Sequence, residues 1–286
     1  MSETSLRDRV ENAVSAIRER WPESGAEPPQ VGIILGTGLG SVAKEIVSQA
    51  TIHYSEIPFF PESTVESHAG KLVCGTLSGI PIVAMEGRFH FYEGYTLDQI
   101  TFPVRVMRAL GAKTLFVSNA AGGMNPFHHP GDIVVIEDHI NLMAGNPLTG
   151  PNDETLGQRF PDMCAPYDAE LIEAALEVAR RENFAAHRGV YVGVTGPNLE
   201  TRAEYRFMRM IGGDVVGMST IPEVLVAVHA GMRVLGLSVI TDQCLPDSLK
   251  PTKIEEILAT ASAAEPKLLA IILGVLKSIP SKSITS

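Results

Sequence analysis

The sequence has few cysteines and a deficit of positive charge. Its three cysteines, Cys74, Cys164 and Cys244, are odd in number and none has C-x-x-C spacing. We therefore predict reduced, packed thiols rather than a disulfide framework or a zinc site. Lysine and arginine total 23 against 33 aspartates and glutamates, a formal net charge of −10. A protein that binds nucleic acid by neutralising its phosphates is not expected.

Long hydrophobic runs and metal-ligand spacings are also missing. The longest apolar stretch, residues 268–276, is shorter than the ~20 residues that span a bilayer. The first twenty residues are charged and carry no apolar core of a secretory signal. No two histidines have H-E-x-x-H or H-x-H spacing, so no metal is expected. The sequence predicts a soluble, cytoplasmic protein that uses no membrane.

Apolar runs and helical periodicities alternate along the chain. Predicted strands cover residues 31–35, 72–77, 80–85, 114–118, 133–137, 190–195, 215–218 and 234–241. Predicted helices cover residues 5–20, 97–110, 168–181, 201–210, 222–230 and 252–276. This order indicates one α/β domain over residues 1–286 with a mostly parallel or mixed central sheet flanked by helices. Residues 1–29 form its first helix and a connection, and residues 277–286 a frayed tail.

Ligands of such sheets bind beyond the carboxyl ends of the strands. We therefore expect the functional residues just after predicted strands, in the segments 36–40, 86–92, 119–123, 196–200, 218–220 and 241–242.

The first of these segments is glycine-rich. GTGLG, residues 36–40, follows the run VGIIL, and its glycines let backbone N–H groups approach an anion. Ser41 stands where G-x-G-x-x-G needs its last glycine, and no Gly-Lys-Ser/Thr follows. The segment is therefore neither a dinucleotide fingerprint nor a Walker loop. A tight strand-to-helix turn is the alternative.

The segment after the predicted strand 80–85 carries a candidate anion site. Arg88 and His90 lie two residues apart, so both can face one side of an extended chain and bind an oxyanion. A surface arginine beside a packed histidine is the alternative. Glu200, Ser219 and Asp242 also follow predicted strands, where they could serve a site or simply stabilise helix N-termini.

Taken together, the motifs resemble one family. GTGLG, HAG, GRFHFYEGY, TFPVRV, NAAGG, GDIVVIEDHIN, GPNDE, TGPNLET, GMSTIPEV and ITD occur in this order over about residues 30–245, as in the trimeric type of purine nucleoside phosphorylase. The resemblance implies a single α/β domain and a glycosyltransferase of purine salvage. Such an enzyme cleaves a purine nucleoside with inorganic phosphate to the free base and (deoxy)ribose 1-phosphate. It implies no metal or organic cofactor.

The resemblance also implies roles for particular residues. The phosphate ligands would be Thr37, His68, Arg88, His90, the backbone N–H of Ala120, and Ser219. The nucleoside would be contacted by Tyr92, Phe160, Glu200, Met218, Thr241 and Asp242. Phe160 would reach the site of a neighbouring subunit of a homotrimer. His90, Glu200 and Asp242 would take part in catalysis.

Two positions depart from the family pattern. Asp242 replaces the asparagine of members specific for 6-oxopurines, and Ile254 replaces a histidine that contacts the ribose 5′-hydroxyl. An ionised aspartate can only accept hydrogen bonds, which favours a 6-amino group or a protonated N7. Both changes point toward adenosine or 5′-methylthioadenosine, whereas Glu200 suits the N1–H of a 6-oxopurine. We expect guanosine or inosine as substrate, with the 6-aminopurine nucleosides as the alternative.

Three other classes of protein are alternatives to this family. A nucleoside hydrolase would bring a calcium site of clustered aspartates, and no D-x-D cluster occurs. An NAD enzyme would need the intact glycine fingerprint. A nucleoside or phosphate sensor of the same fold stays open, because a fold does not determine a function.

Overall fold

One mixed sheet organises the molecule. The structure is a computed structural model that describes residues 4–21, 27–36, 40–62 and 69–279. Within them the strands are β1 (Val31–Leu35), β2 (Val47–His53), β3 (Lys71–Leu77), β4 (Ile80–Glu86), β5 (Thr114–Gly123), β6 (Ile133–Asn141), β7 (Ala186–Gly193), β8 (Val215–Gly217) and β9 (Arg233–Gln243). The helices are α1 (Leu6–Arg20), α2 (Ser41–Lys44), α3 (Leu97–Leu110), α4 (Ala169–Arg181), α5 (Arg202–Met210), α6 (Ile221–His229) and α7 (Ile254–Leu276).

The strand order is β2-β3-β4-β1-β5-β8-β7-β6-β9, and β5 also pairs with β9. The last five strands of this order therefore close into a ring. β1 pairs in parallel with β4 and β5, and β5 pairs in parallel with β9. The β2-β3-β4 meander and the β5–β8 and β6–β9 pairs are antiparallel. The predicted fold class, α/β with a mixed sheet flanked by helices, is confirmed.

Local sequence accounts for most of these elements. β1 is buried along its whole length, as its continuous apolar run predicts for a central parallel strand. Thr96 begins α3 with a capping box, accepting from the Gln99 N–H while the Gln99 side chain accepts from the Thr96 N–H. Asp168 caps α4, because its side chain accepts from the backbone N–H groups of Glu170 and Leu171. The buried faces of these helices pack with the sheet in one hydrophobic core.

Two parts of the sheet were wrongly predicted. β2 was missed because it is a mostly exposed edge strand without an apolar run, and pairing with β3 rather than composition defines it. Segments 119–123 and 241–242, predicted to follow strands, lie inside β5 and β9, which pair in parallel over their full lengths. Gly122 permits that extension, because a Cβ there would lie 2.5 Å from Cys244 Sγ.

Smaller differences concern element ends and the cysteines. β7 begins at Ala186 rather than at residue 190, and α7 begins at Ile254 rather than at residue 252. Residues 277–279 form a turn, and the rest of the predicted tail lies outside the described residues. All three cysteines are free; Cys74 and Cys244 are buried, but Cys164 is exposed and not packed as predicted.

The last helix, α7, is much longer than the nine-residue apolar run 268–276 within it, and it is apolar over most of its length. α7 has 23 residues with a mean hydropathy of 1.5 in its best window, which meets the length and composition of a membrane-spanning helix. Its buried face, which includes Leu268, Ile271 and Val275, packs against α4 and β9. A helix in the core of a protein can have the same length and hydropathy, and the packing of α7 against α4 and β9 is typical of such a helix.

Candidate active site

A cavity of about 200 Å³ opens where β5, β8 and β9 end, beside α7. Four of the predicted phosphate ligands line it: Arg88, His90, Ala120 and Ser219. Five of the predicted nucleoside contacts line it as well: Tyr92, Glu200, Met218, Thr241 and Asp242. Residues separated by more than 150 positions in the sequence thus meet in one cavity.

The anion end of the cavity is built around Arg88. Its side chain is 2% exposed. Nη1 donates to the Ser118 carbonyl oxygen at 2.7 Å and to Ser219 Oγ at 3.1 Å. Glu223 Oε1 accepts from Nε at 3.1 Å and lies 3.0 Å from Nη2. The guanidinium is therefore held in one orientation beside the Ser219 hydroxyl, and Glu223 is a contact that the sequence analysis missed.

Ser219 is positioned by a tight turn that leads into α6. Thr220 has φ +74° and ψ −55°, and the Ile221 N–H donates to the Ser219 carbonyl at 2.8 Å, which is a γ-turn. A β-branched residue at positive φ costs about 1–3 kcal/mol. Asn119 Nδ2 donates to Thr220 Oγ1 at 2.9 Å, and the Ser219 N–H donates to the Tyr191 hydroxyl at 3.3 Å. These bonds hold the strained turn at the edge of the cavity.

His90 is fixed by its own short turn. Glu93 Oε1 accepts from the His90 backbone N–H at 2.8 Å and lies 3.0 Å from Nδ1. A carboxylate at Nδ1 places the proton of a neutral ring on that nitrogen. The Tyr92 ring stacks on the imidazole with centroids 4.6 Å apart. Burial, with the nearby Glu93 carboxylate adding to it, raises the pKa of Tyr92 to about 12, so its hydroxyl stays protonated.

The base end of the cavity holds two carboxylates, Glu200 and Asp242. Burial raises the pKa of Glu200, and a hydrogen bond from Tyr205 opposes that rise. Thr241 Oγ1 lies 2.8 Å from Asp242 Oδ1, and the Cys244 thiol donates to Oδ2 at 3.2 Å. Tyr205 and Cys244 were missed. The i, i+2 spacing of Asp242 and Cys244 at the end of a strand was the signal available for the cysteine.

The cavity also has an apolar wall. Leu199, Ile254, Ile257 and Leu258 line the cavity together with Met218. Ile254 begins α7 and is 62% exposed, so it lies at the mouth of the cavity rather than in its floor. Of this wall the sequence analysis identified only Ile254 and Met218.

Of the predicted site residues that the structure describes, Phe160 does not line this cavity. Phe160 is 85% exposed, and the Arg159 guanidinium lies 5.6 Å from its ring centre. Its predicted contact with nucleoside is therefore not made within its own subunit. Thr37 and His68 lie outside the described residues.

Comparison with known proteins identifies the family. Residues 30–277 match the family model of the phosphorylase superfamily. The purine nucleoside phosphorylase 1 of Bacillus subtilis (strain 168) is 48% identical over 270 residues, covering 94% of this chain and 98% of that protein. The chain belongs to the purine nucleoside phosphorylases. The Bos taurus purine nucleoside phosphorylase is 48% identical over 269 residues, covering 91% of this chain and 93% of that protein.

Crystal structures of this phosphorylase family are similar over nearly the whole chain. A Schistosoma purine nucleoside phosphorylase in complex with hypoxanthine has a TM-score of 0.89 and 40% identity, covering 98% of this chain and 100% of that one. The Schistosoma mansoni purine nucleoside phosphorylase in complex with adenosine has a TM-score of 0.88 and 41% identity, covering 96% and 98%. The family resemblance, the fold and the enzyme class predicted from the motifs are confirmed.

Proposed function

We propose that this chain cleaves the N-glycosidic bond of purine (deoxy)ribonucleosides with inorganic phosphate, without a cofactor. The free base and (deoxy)ribose 1-phosphate are the products. The observation that carries the proposal is the polarity of one cavity, with Arg88 and Ser219 at one end and Glu200 and Asp242 at the other. A cationic fork with hydroxyl donors suits a phosphate, and two carboxylates suit the N–H groups of a purine.

Phosphate binds at the anion end. Arg88 and Ser219 supply donors there, with the Ala120 backbone N–H beside them and His90 as a further ligand, and the family resemblance adds Thr37 and His68. As the C1′–N9 bond breaks, its electron pair passes to the purine and the sugar becomes oxocarbenium-like. The phosphate dianion stabilises that cation, and one of its oxygens forms the new C1′–O bond. Loss of one preorganised donor in such a site costs about 10²–10³ in kcat.

The purine binds at the base end, where its negative charge develops. Glu200 in its ionised form accepts from the N1–H of a 6-oxopurine. Asp242 accepts from a protonated N7 or from a 6-amino group. Tyr92 and Met218 contact the ribose, and Thr241 supports Asp242 with its hydroxyl. His90, Glu200 and Asp242 are therefore the catalytic residues of the proposal.

The preferred substrates are inosine and guanosine, because Glu200 matches the N1–H of a 6-oxopurine. A specific observation favours a second candidate, a 6-aminopurine nucleoside such as adenosine or 5′-methylthioadenosine. Asp242 receives contacts from a hydroxyl and a thiol, which suits an acceptor role. Ile254 at the mouth of the cavity offers no polar partner to a 5′-hydroxyl and an apolar contact to a 5′-alkylthio group.

The active form is a homotrimer in which Phe160 reaches the cavity of a neighbouring subunit. An aromatic side chain that is 85% exposed within the long loop between β6 and α4 is suited to a protein contact. The enzyme acts in the cytoplasm, in purine salvage. Sedimentation equilibrium tests the assembly, and the trimer is expected to persist in Phe160→Ala while the KM for nucleoside rises.

An assay of inosine, guanosine, adenosine and 5′-methylthioadenosine, each with and without phosphate, tests the reaction. Release of free base only with phosphate is expected, with the highest kcat/KM for inosine and guanosine. Release without phosphate would indicate a hydrolase, and binding without release would indicate a sensor. A highest kcat/KM for either 6-aminopurine nucleoside would establish the second candidate.

A further inference from the structure

Two residues without a place in the proposed reaction line the cavity beside its two base-binding carboxylates. The Cys244 thiol donates to Asp242 Oδ2 at 3.2 Å. Tyr205 packs with Cys244 in one buried cluster and lines the cavity together with Glu200. The Cys244 thiol therefore joins Asp242 to the packing around Tyr205.

The surroundings of Cys244 leave its thiol few other partners. Cys244 is 1% exposed and packs in a small apolar cluster with Met124, Val192, Met208 and Val216. Its backbone N–H donates to the Gly123 carbonyl at 2.8 Å, which fixes the side chain at the end of β9. A thiol is a weak donor in water, but the buried Cys244 thiol is shielded from water, which strengthens its hydrogen bond to Asp242.

The thiol acts here as a donor and not as an acceptor. Burial and the nearby Asp242 carboxylate both raise the pKa of Cys244, so the sulfur keeps its proton. Burial likewise raises the pKa of Tyr205. With Thr241 Oγ1 at Oδ1 and the thiol at Oδ2, each Asp242 oxygen has one protein contact and further lone pairs for a ligand.

We propose that Cys244, packed against Tyr205, is the positioning residue that fixes Asp242 as a hydrogen-bond acceptor and so raises the activity on 6-aminopurine nucleosides relative to that on 6-oxopurine nucleosides. A fixed acceptor gains a hydrogen bond from a 6-amino group. The same acceptor faces the lone pairs of a 6-oxo group, which is unfavourable. A carboxylate free to rotate would form a weaker hydrogen bond with the 6-amino group and would repel the 6-oxo group less. This inference rests on the proposed phosphorolysis.

The experiment compares the ratio of kcat/KM for adenosine to kcat/KM for inosine, at saturating phosphate, in three variants. Cys244→Ala removes the donor, and Cys244→Ser keeps a donor of similar size. Cys74→Ala is the matched control, because Cys74 is an equally buried thiol, in β3, that does not line the cavity. The ratio is expected to fall about three- to tenfold in Cys244→Ala, the effect of one hydrogen bond. It is expected to stay within about twofold of the wild type in Cys244→Ser and in Cys74→Ala.

An unchanged ratio in active Cys244→Ala would overturn the inference, and so would an equal fall in Cys244→Ser. The infrared S–H stretch of the wild-type protein tests whether the Cys244 thiol donates to Asp242, even if Cys244→Ala does not fold. The band that Cys244→Ser removes is expected at lower wavenumber than the band that Cys74→Ala removes, because donation to a carboxylate weakens the S–H bond. The reverse order would also overturn it. Absence of phosphate-dependent base release by the wild type would instead remove the proposed function.

Discussion

Glu223 and Arg88 form a buried ion pair directly behind the anion end of the cavity. Glu223 Oε1 lies 3.1 Å from Nε and 3.0 Å from Nη2, and both side chains are 2% exposed. The carboxylate occupies one edge of the guanidinium and leaves Nη1 to contact Ser219. An arginine alone at this depth would be an uncompensated charge, so Glu223 allows a cation to be buried beside the proposed phosphate site.

Glu223→Gln should therefore destabilise the fold. Removing one partner of a buried ion pair costs about 3–5 kcal/mol, since the other charge stays buried. Urea unfolding measures this loss. Glu177→Gln is the control, because Glu177 pairs with Arg180 on the surface and exposed pairs contribute about 1 kcal/mol or less. The double variant Arg88→Met/Glu223→Gln should lose less than the two single variants together. If the losses in the free energy of unfolding of the two single variants simply added up in the double variant, the assignment of a buried ion pair would be contradicted.

Arg88→Lys should weaken phosphate far more than nucleoside. Lysine keeps the charge but lacks the planar fork that bonds Ser219 and an oxyanion together. The KM for phosphate is expected to rise by at least about tenfold, the effect of a lost charged hydrogen bond, with a much smaller change in the KM for inosine. Arg108→Lys, which affects a guanidinium bonded to the Ala230 carbonyl, should leave both values near wild type. Equal rises in both KM values would refute the phosphate assignment.

Asp242→Asn should shift the preference toward 6-oxopurines. An amide donates to N7 and to O6, whereas an ionised carboxylate only accepts. The kcat/KM for inosine relative to adenosine is expected to rise by about tenfold or more, because a repulsive contact is replaced by a hydrogen bond. Asp247→Asn, at an exposed position outside the cavity, is the control. A ratio that stays at the wild-type value would mean that residue 242 does not contact the purine.

The rate with inosine should fall at acidic pH through Glu200. Burial raises the pKa of this carboxyl, and only the ionised form accepts from the purine N1–H. The contribution is present above that pKa and is lost as the pH falls through it. The fall in kcat/KM should therefore begin at higher pH than an ordinary glutamate, with its pKa of about 4.3, would give. In Glu200→Gln, kcat/KM should be lower at all pH values and should no longer fall at acidic pH. Persistence of the fall at acidic pH in Glu200→Gln would assign it to another group.

The sequence predicted the fold class, the order of the main elements and most of the cavity lining. It succeeded where a motif follows an apolar strand, as with Arg88 after β4 and Met218 after β8. It failed where tertiary pairing decides the outcome. β2 carries no apolar pattern of its own, and the ends of β5 and β9 become strand only because they pair with each other.

The second layer of the site could not be predicted for a related reason. Glu223 and Tyr205 lie on helices where a glutamate or a tyrosine is an ordinary residue. Their importance arises from the contact of Glu223 with Arg88 and from the place of Tyr205 in the cavity beside Glu200. Those contacts span long stretches of the chain, and no local pattern encodes them.

The fate of isotopically labelled phosphate tests the central claim most directly. Inosine is incubated with the enzyme and phosphate carrying ¹⁸O at all four oxygens, in unlabelled water, and the sugar product is analysed by mass spectrometry. The account predicts ribose 1-phosphate that retains all four labelled oxygens, because a phosphate oxygen becomes the bridge to C1′. Free ribose with an unlabelled oxygen at C1′ would show attack by water and contradict it.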